Sequence, residues 1–245
     1  MEVPQPSLTR QYSVSSEELT NIVNGRCPDY ALLSEHKFNL HHWPANHDYF
    51  IGNGINISKK TQEIRYILSN RLSKGIETNQ LLFCDLDGVL ADFNEAAAQL
   101  FPDQNNSQLS LKERLNEIPR DEFWSTIRKH PNFFGTLNWM PKGQNLWNAI
   151  KHLNPIILTG CPYGSWAPEQ KRQWCATNLG PDVPVITCFT KEKPNFCLRN
   201  SILIDDQTTI KDEWEKKEGI YYVYTEEKLD DIVKQLNEVL LNTQI

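Results

Sequence analysis

The sequence predicts an α/β fold: a Rossmann-like parallel sheet with a small helical cap inserted after the first strand, and an N-terminal extension ahead of both. Three observations carry this expectation. From about Gln80 onward, short apolar runs of strand length alternate with longer amphipathic stretches of helical length. The first apolar run is followed by a long polar stretch with helical spacing before the second run begins, which is where a cap belongs. Three runs end abruptly at a residue able to do chemistry: Asp85, Thr159 and Asp205. In open parallel sheets the carboxyl ends of the strands are where ligands sit.

Taken in order, residues 1–11 read as a loose tail rich in proline and polar residues. Ser15-Ser16-Glu17-Glu18 suits the start of a short helix reaching about Asn24, because hydroxyls and acids satisfy a helix N-terminus. Gly52-Asn53-Gly54 marks a turn, and 61–72 has Ile64, Ile67, Leu68 and Leu72 on one helical face. Cys27, His36, His41, His42 and His47 include no cysteine pair of zinc-finger spacing, so packing with Trp43, Tyr49 and Phe50 is the preferred reading. Residues 1–77 are thus expected to be an accessory region and 78–245 the main domain.

The main domain should open with a strand over 81–85 and a helix from Phe93, where Ala96-Ala97-Ala98 and Leu100 are good helix formers. Residues 102–131 place Leu109, Leu111, Leu115 and Ile118 on one face of a small helical cap, about 94–140 in all. A helix over 143–153, a strand over 155–159 and a helix over 166–179 follow, the last stopped by Gly180-Pro181. Strands over 183–188, 201–205 and 219–224 come next. A closing helix over 226–241 has Leu229, Ile232, Val233, Leu236, Val239 and Leu240 on one face.

Composition sets outer bounds. The 245 residues carry a net charge of −6, with 39% hydrophobic and 23% charged residues, an ordinary globular balance. The acidic balance gives no basic footprint for a nucleic-acid duplex. No run reaches the roughly 18 apolar residues of a membrane span, and residues 1–10 lack the apolar segment of a signal peptide. The six cysteines are scattered without Cys-x-x-Cys spacing, which fits reduced thiols in a cytoplasmic setting.

The stretch Asp85-Leu86-Asp87-Gly88 supplies the chemistry. Two carboxylates one residue apart repel each other and stay ionised together most easily when they share a cation. Gly88 allows a tight turn with positive φ where the chain leaves the strand. A strand carboxylate can also act as a nucleophile. The same residues would equally suit a surface Asp-Gly turn.

Asp85-Leu86-Asp87-Gly88-Val89-Leu90-Ala91-Asp92-Phe93 resembles the first motif of the haloacid dehalogenase (HAD) superfamily of hydrolases. Thr159 after Ile156-Ile157-Leu158, Lys193 in Thr190-Lys191-Glu192-Lys193, and Asp205-Asp206 after Ile202-Leu203-Ile204 resemble the other three, in the order that superfamily requires. The resemblance spans about residues 80–225. It implies that Asp85 is the nucleophile and forms an aspartyl-phosphate, and that Asp87 is the general acid and base. Thr159 and the N–H of Gly160 would hold phosphoryl oxygens. Lys193 would pair with nucleophile and phosphate, with Lys191 its local competitor. Asp85, Asp87 (through its carbonyl), Asp205 and Asp206 would form a Mg²⁺ site, Asp206 as the direct ligand and Asp205 as support.

Within that superfamily the chain is most similar to the 5′(3′)-deoxyribonucleotidase group, at the first motif, at Phe133-Phe134 with Pro141, and at Gly180-Pro181-Asp182. This implies a nucleotide or another small phosphorylated metabolite as substrate, with Phe133, Phe134 and Trp139 stacked on a base or else serving as core aromatics. The chain departs from the group at Thr159-Gly160, where Thr-Ser is usual. Two other readings stay open: a nucleic-acid end phosphatase, and a non-catalytic interaction protein working through residues 1–77.

Overall fold

The computed structural model describes Ile64, residues 66–71, Lys74, and residues 80–102 and 109–241. Ile64 and 66–71 are helical, as the spacing of Ile64, Ile67 and Leu68 predicts. The expectations for Ser15–Glu18, Gly52–Gly54, Cys27 and the four histidines lie outside the described residues. Contacts divide the chain between Asn79 and Gln80, and the sheet belongs to the second unit.

Five short strands form one parallel sheet: β1 (Leu82–Cys84), β2 (Ile156–Gly160), β3 (Val185–Cys188), β4 (Ile202–Asp205) and β5 (Ile220–Val223), in the order β3-β2-β1-β4-β5. The helices are α1 (Phe93–Gln99), α2 (Leu111–Asn116), α3 (Arg120–Lys129), α4 (Gly143–Ile150), α5 (Trp166–Asn178), α6 (Lys211–Glu215) and α7 (Leu229–Leu241). The expected Rossmann-like sheet with a helical insertion after the first strand is the fold observed. The third strand is shorter than the sequence predicts and begins at Val185. Pro184 has no N–H for the ladder and contributes only its carbonyl, which accepts from Ile157 N at 2.9 Å.

β1 lies in the middle, paired with β2 through Phe83↔Ile156 and with β4 through Leu82↔Ile202. A strand covered on both faces should be apolar throughout, and Phe83 and Cys84 have no exposed surface while Leu82 has 3%. Phe83 meets Trp214 of α6 edge-on, with ring centroids 5.6 Å apart. Truncating so large a buried ring typically costs about 3–5 kcal/mol.

The order reverses at β1, which has β2 on one side and β4 on the other. A crevice opens outside the carboxyl ends of strands at such a switch point. Over it lie the cap helices α1, α2 and α3. The Asp92 side chain accepts from Glu95 N at 3.1 Å and starts α1. Ser110 and Glu113 form a reciprocal capping box that starts α2. The cap is tied down by an aromatic cluster in which Phe93 touches Phe123, Trp124, Phe133 and Phe134. No helix among the described residues is long and apolar enough to cross a membrane, and the five described cysteines are free thiols.

Candidate active site

Asp85 follows β1 and is pinned there by its backbone, which donates to Ile204 O at 2.9 Å. Its two carboxylate oxygens have separate partners. Oδ1 accepts from Leu86 N at 2.8 Å, and Oδ2 faces Lys193 Nζ at 2.8 Å. The chain then turns sharply. Gly88 has φ +76°, and Gly88 N and Ala91 N donate to Ala91 O and Leu86 O, both at 2.9 Å. A Cβ on Gly88 would come within 2.9 Å of the Asp206 carboxylate, so glycine is required both by the turn and by that close approach.

Lys193 comes from the 3₁₀ segment after β3 (Thr190–Phe196) and Asp205 from the end of β4. Lys193 is 1% exposed and also bonds Asp205 Oδ2 at 2.6 Å. Burial alone would depress the pKa of this ammonium, but Asp85 and Asp205 on either side raise it above the ordinary lysine value. Asp205 Oδ1 accepts from Gln207 N at 2.9 Å, so both its oxygens are occupied. Two carboxylates sharing one ammonium cannot both ionise easily. Burial first, and Asp85 second, push the Asp205 carboxyl up to about 7.

Asp206 lies beside them. Its Oδ2 accepts from Lys112 Nζ of α2 at 2.8 Å, while its Oδ1 has no partner. Burial and the nearby Asp85 raise its pKa. Oxygens of Asp85, Asp205 and Asp206 lie within 4.8 Å of one another, a donor set of hard oxygens that fits a divalent cation. Asp206 Oδ1 is the oxygen of this cluster left without any hydrogen-bond partner. With every group ionised, the four carboxylates (85, 87, 205, 206) would exceed the three ammonium groups they face (112, 171, 193) by one negative charge.

Asp87 sits at the mouth of the site, its side chain 24% exposed. Its Oδ2 is held by Lys171 of α5, whereas its Oδ1 has no hydrogen-bond partner. Its pKa is raised by burial against the opposing pull of Lys171. Thr159, in β2 and fully buried, takes a hydrogen bond from Lys171 Nζ on its Oγ1 at 2.9 Å, and Gly160 O takes another at 2.7 Å. A Cβ on Gly160 would overlap Thr190 Oγ1. Thr190 therefore fills the space that a serine side chain would need.

Asp85, Asp87, Thr159, Gly160, Lys193, Asp205 and Asp206 are thus gathered at one edge of the sheet, and Lys191 stays exposed. Phe133, Phe134 and Trp139 do not line the cleft beside these residues. Phe133 and Phe134 are 3% and 1% exposed within the aromatic core, and Trp139 packs on Trp174 with its Nε1 donating to Asn178. Core aromatics, the alternative that the sequence left open, is the role they have here. The cleft beside Asp87 and Asp206, about 480 Å³, is lined instead by Phe93, Phe123 and Trp124, with Lys112, Asn116 and Arg120. None of these six stands out as a site residue from the sequence. Nor does Lys171, although a signal exists: it shares a helix face with Ala167, Trp174 and Cys175, all buried.

No family model matches the chain, and no curated protein does. Among solved structures it is similar to the HAD-hydrolase YfnB from Bacillus subtilis bound to magnesium, at 15% identity and TM-score 0.46 over 64% of this chain and 98% of that one. It is also similar to a HAD family hydrolase from Deinococcus radiodurans R1 with bound phosphate and sodium, at 11% identity and TM-score 0.40 over 62% and 87%. A haloacid dehalogenase-like hydrolase from Streptococcus pneumoniae is similar at 10% identity and TM-score 0.41 over 58% and 82%. The chemistry open to the site is set by its own side chains.

Proposed function

We propose that this protein is a Mg²⁺-dependent phosphomonoester hydrolase that works through an aspartyl-phosphate on Asp85, with a nucleotide or another small phosphorylated metabolite as substrate. One observation carries the reading. A buried carboxylate at the end of the central strand is held by a buried lysine on one oxygen and a backbone N–H on the other, with a second carboxylate two residues on that lines the adjoining cleft. Splitting hydrolysis into formation and breakdown of an acyl phosphate gives two easier steps than direct attack of water.

The Asp85 carboxylate attacks phosphorus while the bond to the leaving oxygen breaks. Asp87 gives its proton to that oxygen, and later takes one from the water that attacks the acyl phosphate. Thr159 and the N–H of Gly160 hold the phosphoryl oxygens, and Lys193 offsets their charge from below. A divalent cation held by Asp85, Asp206 and the Asp87 carbonyl, with Asp205 behind, would neutralise the remaining phosphoryl charge. Phe93, Phe123 and Trp124 offer flat apolar faces to the leaving group, which supports a base-bearing substrate.

The test is a panel of phosphorylated metabolites, nucleotides, and 5′- or 3′-phosphorylated oligonucleotides assayed with Mg²⁺. Turnover of small monophosphates together with a stable beryllofluoride adduct is the expected result. A preference for oligonucleotides that weakens steeply with salt would move the substrate to nucleic-acid ends. A protein that binds Mg²⁺ but turns over nothing and forms no adduct would overturn the enzyme reading and favour an interaction role for residues 1–77.

A further inference from the structure

Among the described residues, Lys171 is the fully buried cation of the site that the proposed mechanism leaves unused. It lies in α5 with no exposed surface. Its ammonium has three N–H donors, and the structure accounts for all of them: Asp87 Oδ2, Thr159 Oγ1 at 2.9 Å and Gly160 O at 2.7 Å. The Phe134 ring covers it at 4.5 Å, and the neighbouring Gln170 Oε1 accepts from Phe134 N at 3.0 Å, so the cover is fixed to the same helix. An ammonium with every donor engaged has none left to offer a substrate. Its effect falls on the groups it holds.

The most consequential of these is Asp87. One of its oxygens is anchored by Lys171; the other, Oδ1, is buried without a hydrogen-bond partner, and the residue lines the cleft. We propose that Lys171 is a positioning residue that fixes Asp87 against the β2 end, so that its carboxyl is held in one orientation toward the leaving group and water. The same ammonium ties Asp87 to Thr159, which keeps the proton-transfer oxygen in register with the phosphoryl-binding hydroxyl. This rests on the phosphatase reading. In the step concerned, the phosphorus–oxygen bond to the leaving group breaks as the Asp85 oxygen–phosphorus bond forms. The electron pair passes to the leaving oxygen, which takes the proton from the Asp87 carboxyl.

The experiment is kcat/KM for a series of phosphate esters running from 2,4-dinitrophenyl phosphate, whose leaving group needs no proton, to simple alkyl phosphates, whose leaving group does. It uses the full-length protein with Mg²⁺. Lys171→Met should lose about 10²-fold more on the alkyl esters than on the dinitrophenyl ester, a share typical of general-acid catalysis. The double variant Asp87→Asn/Lys171→Met removes both charges together. It therefore keeps the test available if Lys171→Met alone, which strands a buried carboxylate, does not fold. Its dependence on leaving group should match that of Asp87→Asn alone, because a residue acting through Asp87 adds nothing once Asp87 is disabled.

A folded Lys171→Met protein with the wild-type dependence would overturn the proposal while leaving the phosphatase reading in place. So would a double variant that falls far below Asp87→Asn equally on every ester, since Lys171 would then act on the phosphoryl group itself. A wild type that turns over no member of the series overturns the phosphatase reading and this inference with it.

Discussion

Lys112 and Asp206 are 94 positions apart in sequence and 2.8 Å apart in space, an ion pair that links cap helix α2 to the acid cluster. Lys112 takes one Asp206 oxygen and leaves the other without a partner. A cation entering the cluster must contend with that ammonium. Lys112→Met should therefore bind Mg²⁺ more tightly than the wild type. The lysine is half-exposed, so the gain should be that of a surface ion pair, about two- to five-fold. Isothermal titration calorimetry reads it directly, and weaker binding in the variant would contradict the idea of competition.

The two acids of the first motif should separate cleanly on substitution. Asp85→Asn should abolish turnover, because an amide cannot form the acyl phosphate, and should fail to bind beryllofluoride. Asp87→Asn should keep the adduct, since the proposed metal contact of this residue would be through its backbone carbonyl, yet slow turnover by about 10²–10⁴-fold. Single-turnover assays and ¹⁹F NMR of the adduct distinguish the two. Equal loss in both variants would undo the division of roles.

Lys193→Met should cost stability as well as rate. The side chain it removes is the shared partner of two buried carboxylates. Leaving buried charge uncompensated typically costs about 3–5 kcal/mol, and the lost transition-state charge should reduce turnover by about 10²–10³-fold. Lys191→Met, at an exposed position, should leave both urea midpoint and turnover close to wild type. The reverse pattern would show that the motif lysine had been misplaced.

Asp205 makes the metal-free protein sensitive to pH. Its carboxyl is raised from 3.8 to about 7, chiefly by burial. Between those values the folded state binds more protons than the unfolded state, so unfolding free energy falls as pH rises. In EDTA the melting temperature should therefore drop from about pH 4 to about pH 7. Asp205→Asn should flatten this slope, and added Mg²⁺ should restore more stability at the top of the range than at the bottom. A wild-type slope unchanged by Asp205→Asn would assign the effect elsewhere.

Gly160 and Thr190 should behave as a coupled pair. A methyl group at position 160 would overlap Thr190 Oγ1, so Gly160→Ala should destabilise by about 1–3 kcal/mol, the usual cost of overpacking. Thr190→Ala removes the overlapping hydroxyl and should recover most of that loss. A thermal-melt double-mutant cycle measures the coupling, and purely additive effects would contradict it.

The features legible in the chain are those that local order controls. Strand length, apolar character and the acid or hydroxyl that ends a run place Asp85, Thr159 and Asp205 without reference to any distant residue. Lys193 follows from its order between the second and fourth motifs. Side chains that arrive from helices are harder to place, because spacing shows which residues share a face but not what that face meets. Lys171 does not stand out until its ammonium is seen to hold Asp87. The adjacent aromatics Phe133 and Phe134 suit a stacking platform and a core equally well until their burial is seen. Gly160, an apparent loss of a hydroxyl, makes sense only beside Thr190.

The central place of β1 has a consequence for how the molecule comes into being. Its partner on one side is β4, with Leu82 paired to Ile202 from far along the chain. Pairings of such long range are slow to form, since a long loop must close before any bond rewards it. An intermediate holding only β1, β2 and β3 would have Asp85 but neither Asp205 nor the floor that seats Lys193. Enzymatic competence should therefore emerge in the final phase of refolding, after helical circular dichroism has largely recovered. Activity would then serve as a clock for closure of the sheet.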